Sequence, residues 1–378
     1  MNQKFADAVE QIWNDGDFIW AQDFHLMLLA NCLQARGMRC RTGYFHHIPF
    51  PHADVLEKLP WRIQLLRAML QFNSLGFQTV RDRRNFVAAI RRFLPNVHLH
   101  RLGNNVLVRC GSRCAVVGSY PISIDFEEFA GAAAKADVLY AASNVRQDLG
   151  ETKMVLGIDR LDYTKGIIER LKSFEKLLAT HADLRGRVSL LQVVVPSREG
   201  LGEHQQLKLA IETRVSQIND QYATTAWVPI HYMYRNLSRP ELVALYRAAD
   251  VALVTPLKDG MNLVAKEFCA CRIDETGVLI LSEFAGAAAE LRCGAVIVNP
   301  YDVDAVASAL HLALGISEPE QRRRMARMRS SVRCQDVLHW SRSFLAHGES
   351  MKLDAWPKTP GPGETEVAGS NSIPGCRP

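Results

Sequence analysis

Short apolar runs separated by amphipathic stretches recur along this chain, and that alternation limits the fold more than any other feature. The runs are DFIWA at 17–21, KMVLGI at 153–158, SLLQVVV at 189–195, VALVT at 251–255, GVLIL at 277–281 and AVIV at 295–298. A strand that is apolar on both faces must be covered on both faces by helices, so the pattern predicts parallel α/β sheets. Helical patterns lie between the runs. HLMLLANCLQARG ends at Gly37, and RPELVALYRAAD carries Pro240 in its first turn behind Ser238 as cap. Residues 104–121, NNVLVRCGSRCAVVGSYP, have turn residues between alternating runs and predict a hairpin or β-meander.

At 378 residues the chain is long enough for two domains, each with its own core. The Ala-rich, polar segment 129–150 precedes a fresh strand, so the expected domains are 1–150 and 151–353. From residue 354 the tail PKTPGPGETEVAGSNSIPGCRP is poor in apolar residues and is expected to be disordered. With 48% hydrophobic residues the chain still has no apolar run of the roughly 18 residues that suggest a membrane span. MNQKFADAVEQIW lacks the layout of a secretory signal, so a cytoplasmic location is expected. Nine cysteines without a C-x-x-C pair are expected to be reduced, mostly buried thiols. The densest basic run, Arg322 to Arg333, is interleaved with Met325, Ala326, Met328 and Val332 and has no aromatic platform. It reads as the solvated face of a surface helix and argues against nucleic-acid binding. The sequence leaves room for a homo-oligomer without arguing for one.

Two segments carry most of the chemistry. In KMVLGIDRLDYTKGIIERL a strand runs into Asp159-Arg160-Leu161-Asp162-Tyr163-Thr164-Lys165-Gly166 and then into a helix. Ligands bind at the carboxyl ends of strands in open α/β sheets, and Arg160 with Lys165 can bracket a diphosphate beside a helix N-terminus. In ALVTPLKDGMNLVAKEFCA the same layout puts Asp259 and Gly260 at a strand end. Asn262, Leu263 and Val264 then open a helix with free N–H groups, and Glu267 follows, suited to accept hydrogen bonds from a ribose diol. An ordinary charged surface turn is the alternative for each segment. In the first half, Asp23 and His25 follow one strand, His47 precedes the Pro-x-Pro of FHHIPFP, and Gln78 ends LGFQT. Arg198 in VVVPSREG lies just beyond a buried strand and reads equally as a phosphate ligand or an exposed arginine.

From about residue 17 to about residue 345 the chain resembles retaining glycosyltransferase family 20, the trehalose-6-phosphate synthases. The blocks that carry the likeness are QDFH, FHHIPFP, LGFQT, GIDRLDYTKG, VPSREG, TPLKDGMNLVAKE, LSEFAGAA and NPYDVDAVA. The resemblance implies the GT-B fold of two facing Rossmann-like domains with parallel sheets. It implies transfer of glucose from UDP-glucose to glucose-6-phosphate with retention of configuration, giving α,α-trehalose 6-phosphate. By position, Arg160 and Lys165 would hold the donor diphosphate and Glu267 the ribose, with Asn262, Leu263 and Val264 adding backbone contacts to the donor. Asp259 and His47 would hold hydroxyls of the donor glucose, Asp23 would orient the acceptor, Gln78 would line the cleft and Arg198 would take the acceptor phosphate. No metal or cofactor is called for beyond the donor substrate. The chain departs from the family pattern at Gln22-Asp23-Phe24-His25, where His-Asp-Tyr-His is usual. Family members also carry a further segment ahead of this start, which implies an incomplete N-terminal sheet. The alternatives are a donor-binding but non-catalytic paralogue, a glucosylglycerol-phosphate synthase and a start site placed too late. RLDYTKG and VPSREG favour the trehalose reading over the second of these.

Overall fold

A computed structural model describes residues 1–197 and 202–349. Arg198 and the tail expected to be disordered lie outside the described residues. The chain divides into two units, Met1–Tyr120 with the segment from Arg342, and Pro121–Ser341.

The first unit contains α1 (Asn2–Ile12), β1 (Phe18–Gln22), α2 (Leu29–Ala35), β2 (Arg41–His46), α3 (Ala53–Leu56), α4 (Arg62–Met69), β3 (Ser74–Phe77), α5 (Val80–Phe93), β4 (Val97–Leu102), β5 (Asn105–Cys110) and β6 (Arg113–Ser119). Its six-stranded sheet has the order β1-β2-β3-β6-β5-β4. β1, β2, β3 and β6 run parallel, while β4, β5 and β6 form an antiparallel meander, in line with the hairpin or β-meander expected over residues 104–121. This sheet is therefore mixed. Tyr44, Leu75 and Phe77 pack beneath Phe50, Phe86 and Ile90 in its core.

The second unit contains α6 (Phe126–Ala133), α7 (Ala136–Leu149), β7 (Lys153–Arg160), α8 (Ile167–Thr180), β8 (Val188–Val195), α9 (Gly202–Tyr222), β9 (Ile230–Tyr234), α10 (Arg239–Ala248), β10 (Val251–Val254), α11 (Leu263–Cys271), β11 (Val278–Ser282), α12 (Ala288–Leu291), β12 (Val296–Val298), α13 (Val303–Leu314) and α14 (Glu318–Cys334). A last helix, α15 (Val337–Glu349), begins in this unit. In the first unit, its Phe344 stacks on Trp20 at 4.7 Å and meets Phe45 and Tyr120 edge-on. All six strands of the second sheet are parallel, in the order β12-β11-β10-β7-β8-β9. Counted from β7 this is the doubly wound 3-2-1-4-5-6 order, whose switch point lies between β7 and β10. Both faces are covered. Met154, Leu156 and Ile158 enter one apolar cluster, while the alternating Val155 and Leu161 enter the other.

The division falls earlier than residue 150. The Ala-rich segment forms α6 and α7, which bury Phe126, Phe129 and Val138 in the same cluster as Met154 and Val243. The basic run lies on α14, which buries Met325, Met328 and Val332 and pairs its arginines with Glu318 and Glu320 at the surface. Ser238 and Glu241 form a reciprocal cap at the start of α10. The described cysteines are free, as expected, but only Cys269 and Cys271 are buried; Cys334 is exposed and the others are half-buried. No helix among the described residues is long and apolar enough to cross a membrane.

Candidate active site

The expected donor residues gather at the switch point of the second sheet. β7 and β10 pair only at Val251 with Val155 and Ala252 with Leu156. Beyond those pairs β7 continues to Arg160 while β10 stops at Val254, and the two following loops fill the crevice. Thr164 O accepts from Leu257 N at 2.7 Å and from Lys258 N at 3.3 Å, which knits the loops together. Gly166 makes this approach possible. Its φ is +65°, and a Cβ there would lie 2.5 Å from Thr255 O. Asp259 lies in the loop after β10, not at the strand end as expected, where it bridges to Ala285.

Lys165 Nζ donates to Asp259 Oδ2 at 2.5 Å, and the two side chains are 13% and 16% exposed. Asn262 Nδ2 donates to the same oxygen at 3.1 Å. Asn262 has φ +73° and caps α11 by accepting from Ala265 N at 3.2 Å. That bond leaves the N–H groups of Leu263 and Val264 as first-turn donors without an acceptor in the helix. Arg160 is exposed at the end of β7 and has no hydrogen bond or ion pair among the described residues. Arg160, Lys165, Asp259, Asn262 and the α11 N-terminus are thus brought together as expected, offering two cations, one carboxylate and oriented N–H groups to an anionic ligand.

Beneath them lies Arg170, a residue the sequence reading did not single out. Its side chain is fully buried. Nη1 donates to Asp159 Oδ2 at 2.5 Å and to Gln192 Oε1 at 3.1 Å, and Nε donates to Thr255 Oγ1 at 3.1 Å. One guanidinium thus ties the carboxyl ends of β7, β8 and β10. An arginine inside an amphipathic helix pattern carries no local sign of burial. Lys266 is buried as well, bound to Ile122 O and to both carboxylate oxygens of Glu290, so the three ammonium protons meet three acceptors. The adjacent Glu267 accepts from the phenol of Tyr246 at 2.7 Å. Burial pushes the Glu267 carboxyl up, against the pull of the Tyr246 hydrogen bond and of Arg239.

In the first unit, Asp23, His47 and Gln78 are each the residue immediately beyond a strand, and those strands, β1, β2 and β3, are parallel neighbours. Asp23 has φ 67° and ψ 169°, a conformation costly for any residue but glycine, and its Oδ1 is buried without a hydrogen-bond partner among the described residues. His47 Nε2 lies 2.7 Å from Gln22 Oε1, and Gln78 Nε2 lies 3.4 Å from His47 Nδ1. An amide oxygen only accepts and an amide nitrogen only donates, so the imidazole carries its proton on Nε2 and is neutral. Burial also lowers its pKa, with Asp23 acting in the opposite sense. Gln22, where the family pattern has histidine, thereby orients His47, a role visible only once β1 and β2 are paired. His25 is exposed, and its ring lies tilted against Phe24 with centroids 3.8 Å apart. Behind these residues Tyr44 Oη lies 2.8 Å from His46 Nδ1, and burial lowers the His46 pKa to about 4. Arg198 lies outside the described residues.

A model of glycosyltransferase family 20 matches residues 1–349. The chain belongs to this family. Among its relatives, the bifunctional trehalose-6-phosphate synthase/phosphatase of Thermoproteus tenax is 42% identical over 347 residues, covering 91% of this chain. The family 20 chain spans 46% of the length of that relative. The alpha,alpha-trehalose-phosphate synthase (UDP-forming) from Burkholderia xenovorans, solved in complex with glucose-6-phosphate, is 37% identical with a TM-score of 0.88, covering 92% of this chain and 77% of that one. A structure described as trehalose-6-phosphate from E. coli bound with UDP-2-fluoro glucose is 35% identical with a TM-score of 0.88, covering 93% and 77%. The fold is accordingly GT-B, built from two Rossmann-like α/β units.

Proposed function

We propose that this family 20 chain is a retaining glycosyltransferase that moves glucose from UDP-glucose to glucose-6-phosphate, releasing UDP and forming α,α-trehalose 6-phosphate. The observation that carries the reading is the Lys165–Asp259–Asn262 cluster with Arg160 at the switch point of an all-parallel sheet. Arg160, Lys165 and the N–H groups of Leu263 and Val264 bind the donor diphosphate. Glu267 takes the ribose hydroxyls, and Asp259 and His47 take hydroxyls of the donor glucose. Asp23 orients the acceptor, Gln78 supports His47, and Arg198 is the candidate for the acceptor phosphate. The related Burkholderia and E. coli structures, with glucose-6-phosphate and UDP-2-fluoro glucose bound, support this choice of substrates.

The chemistry follows from charge. As the bond from the anomeric carbon to the diphosphate breaks, negative charge grows on the leaving oxygen, and the fixed cations of Arg160 and Lys165 stabilise it more than they stabilise the ground state. No side chain is assigned as a nucleophile. The departing phosphate takes the acceptor hydroxyl proton on the face it leaves, so the configuration is retained. A neutral His47 suits hydrogen bonding to a sugar hydroxyl, because its ring can both donate and accept. The reaction is assigned to the cytoplasm.

The test is UDP release from UDP-glucose by the full chain, with and without glucose-6-phosphate, with Lys165→Ala as control. Release that depends on the acceptor and is lost in the variant is expected. Donor binding without acceptor-dependent release would sink the enzyme reading and leave the non-catalytic, donor-binding one.

A further inference from the structure

Glu267 is held in place by a residue that no ligand needs to touch. Tyr246 on α10 is 1% exposed, and its hydroxyl donates to Glu267 Oε2 at 2.7 Å. Burial and the neighbouring carboxylate push the phenol pKa well above its usual value, so the hydroxyl keeps the proton it donates to Glu267. The ring is fixed by the apolar cluster around it and meets Phe268 edge-on, with centroids 6.5 Å apart and planes at 74°. Its backbone is fixed too. Arg272, which follows the last turn of α11, donates through Nη1 to the carbonyls of Tyr246, Arg247 and Ala249 at the end of α10. The helix that carries Glu267 is therefore latched to α10 at its middle, through Glu267, and at its C-terminal end, through Arg272.

The hydroxyl is not required by packing, because phenylalanine would fill the same space. Its one hydrogen bond goes to a carboxylate that is half-buried, and Oε1 of that carboxylate has no partner among the described residues. A free glutamate samples several rotamers, and fixing it in one costs side-chain entropy. A vicinal diol is read well only by a carboxylate whose orientation is already set. We infer that Tyr246 is a positioning residue for nucleoside recognition: it presents Oε1 of Glu267 to the ribose hydroxyls of the donor, and so contributes to selection of a ribonucleotide sugar. This inference rests on the ribose role proposed for Glu267.

The experiment compares wild type, Tyr246→Phe, Glu267→Gln and the double variant, each as the full chain, with UDP-glucose and with its 2′,3′-dideoxy analogue. Wild type should prefer the hydroxylated donor. Tyr246→Phe should raise KM for UDP-glucose about tenfold, as expected for loss of a hydrogen bond to a charged group. Its kcat and its KM for glucose-6-phosphate should stay unchanged, and its KM for the dideoxy donor should barely move. In the Glu267→Gln background the same substitution should add nothing. If Tyr246→Phe weakens both donors equally, or adds its full effect in the Glu267→Gln background, Tyr246 is a packing residue and the inference is overturned. If wild type treats the two donors alike, the ribose role of Glu267 falls, and the inference falls with it.

Discussion

Replacing Asp259 by asparagine should separate nucleotide binding from sugar transfer. Asp259 Oδ2 holds Lys165 Nζ at 2.5 Å, with both side chains mostly out of water. At an effective dielectric of about 20, charges this close attract by about 7 kcal/mol before their desolvation is counted. The net worth of a hydrogen bond to a charged group is smaller, about 1.5–3 kcal/mol. A diphosphate arriving at Lys165 must compete with that bond and lie near the carboxylate. Asp259→Asn keeps the shape of the side chain and an acceptor oxygen but removes the charge. Releasing about 1.5 kcal/mol of competition should tighten UDP binding by about tenfold, measured by calorimetry with UDP alone. Transfer should move the other way. Loss of a charged acceptor for glucose hydroxyls should lower kcat/KM for UDP-glucose by about 10- to 100-fold in an acceptor-dependent UDP-release assay. Weaker UDP binding in Asp259→Asn, or unchanged transfer, would refute the reasoning that Asp259 serves the sugar and restrains the lysine.

Gly166→Ala should lower the melting temperature and weaken UDP binding, because it adds a contact with Thr255 O to the cost of a positive φ, about 1–2 kcal/mol. Gly37→Ala, also at positive φ but with open space around it, should lower the melting temperature by the φ cost alone and leave UDP binding unchanged, and equal losses at both sites would remove the steric argument. His46 binds its proton less readily when folded, at about 4, than the roughly 6.5 of an unfolded histidine. Its contribution to stability is therefore intact above about pH 6.5 and declines as pH falls toward 4, by about 3 kcal/mol in all. His46→Gln should flatten the pH dependence of urea unfolding over that window, and curves parallel to wild type would count against it. Lys266→Met strands the buried Glu290 carboxylate and should cost about 3–5 kcal/mol in urea unfolding, with most of that recovered in Lys266→Met/Glu290→Leu. A single variant as stable as the double would show that the carboxylate does not need the ammonium.

The parts of the fold legible in the sequence are those in which one segment decides its own state. β7, β8, β10 and β11 announce themselves as apolar runs, and the cap at Ser238 needs only its own turn. Lys165, Asp259 and Asn262 could be read as a grip because a strand leads directly into each loop. The division between units was harder to read. Alanines at 130–142 are compatible with a linker, and only the burial of Phe126, Phe129 and Val138 makes α6 and α7 part of the second core. Tyr246 and Arg170 were hidden for a related reason. Each sits in a helical pattern where an aromatic reads as core and a charge as surface, and its partner lies on another element. Gln22 looked like the loss of an imidazole, whereas the paired strands make it a partner of His47. Pairings across elements belong to the folded chain, and no local pattern carries them.

Because the proposed donor grip joins loops that follow strands far apart in sequence, it has a history in time as well as a geometry. Lys165 and Asp259 are 94 positions apart in the chain. At synthesis rates of about 5–20 residues per second, the lysine leaves the ribosome roughly 5–20 s before its carboxylate does. During that interval β7 and β8 can pair, but the nucleotide has no complete pocket until β10 docks beside β7. A ligand that binds only the finished arrangement would stabilise it by about 2.7 kcal/mol at a hundred times its Kd. UDP-glucose in the surrounding solution would therefore favour the docking of β10 beside β7, making the proposed donor a reporter of that step before it is ever a substrate.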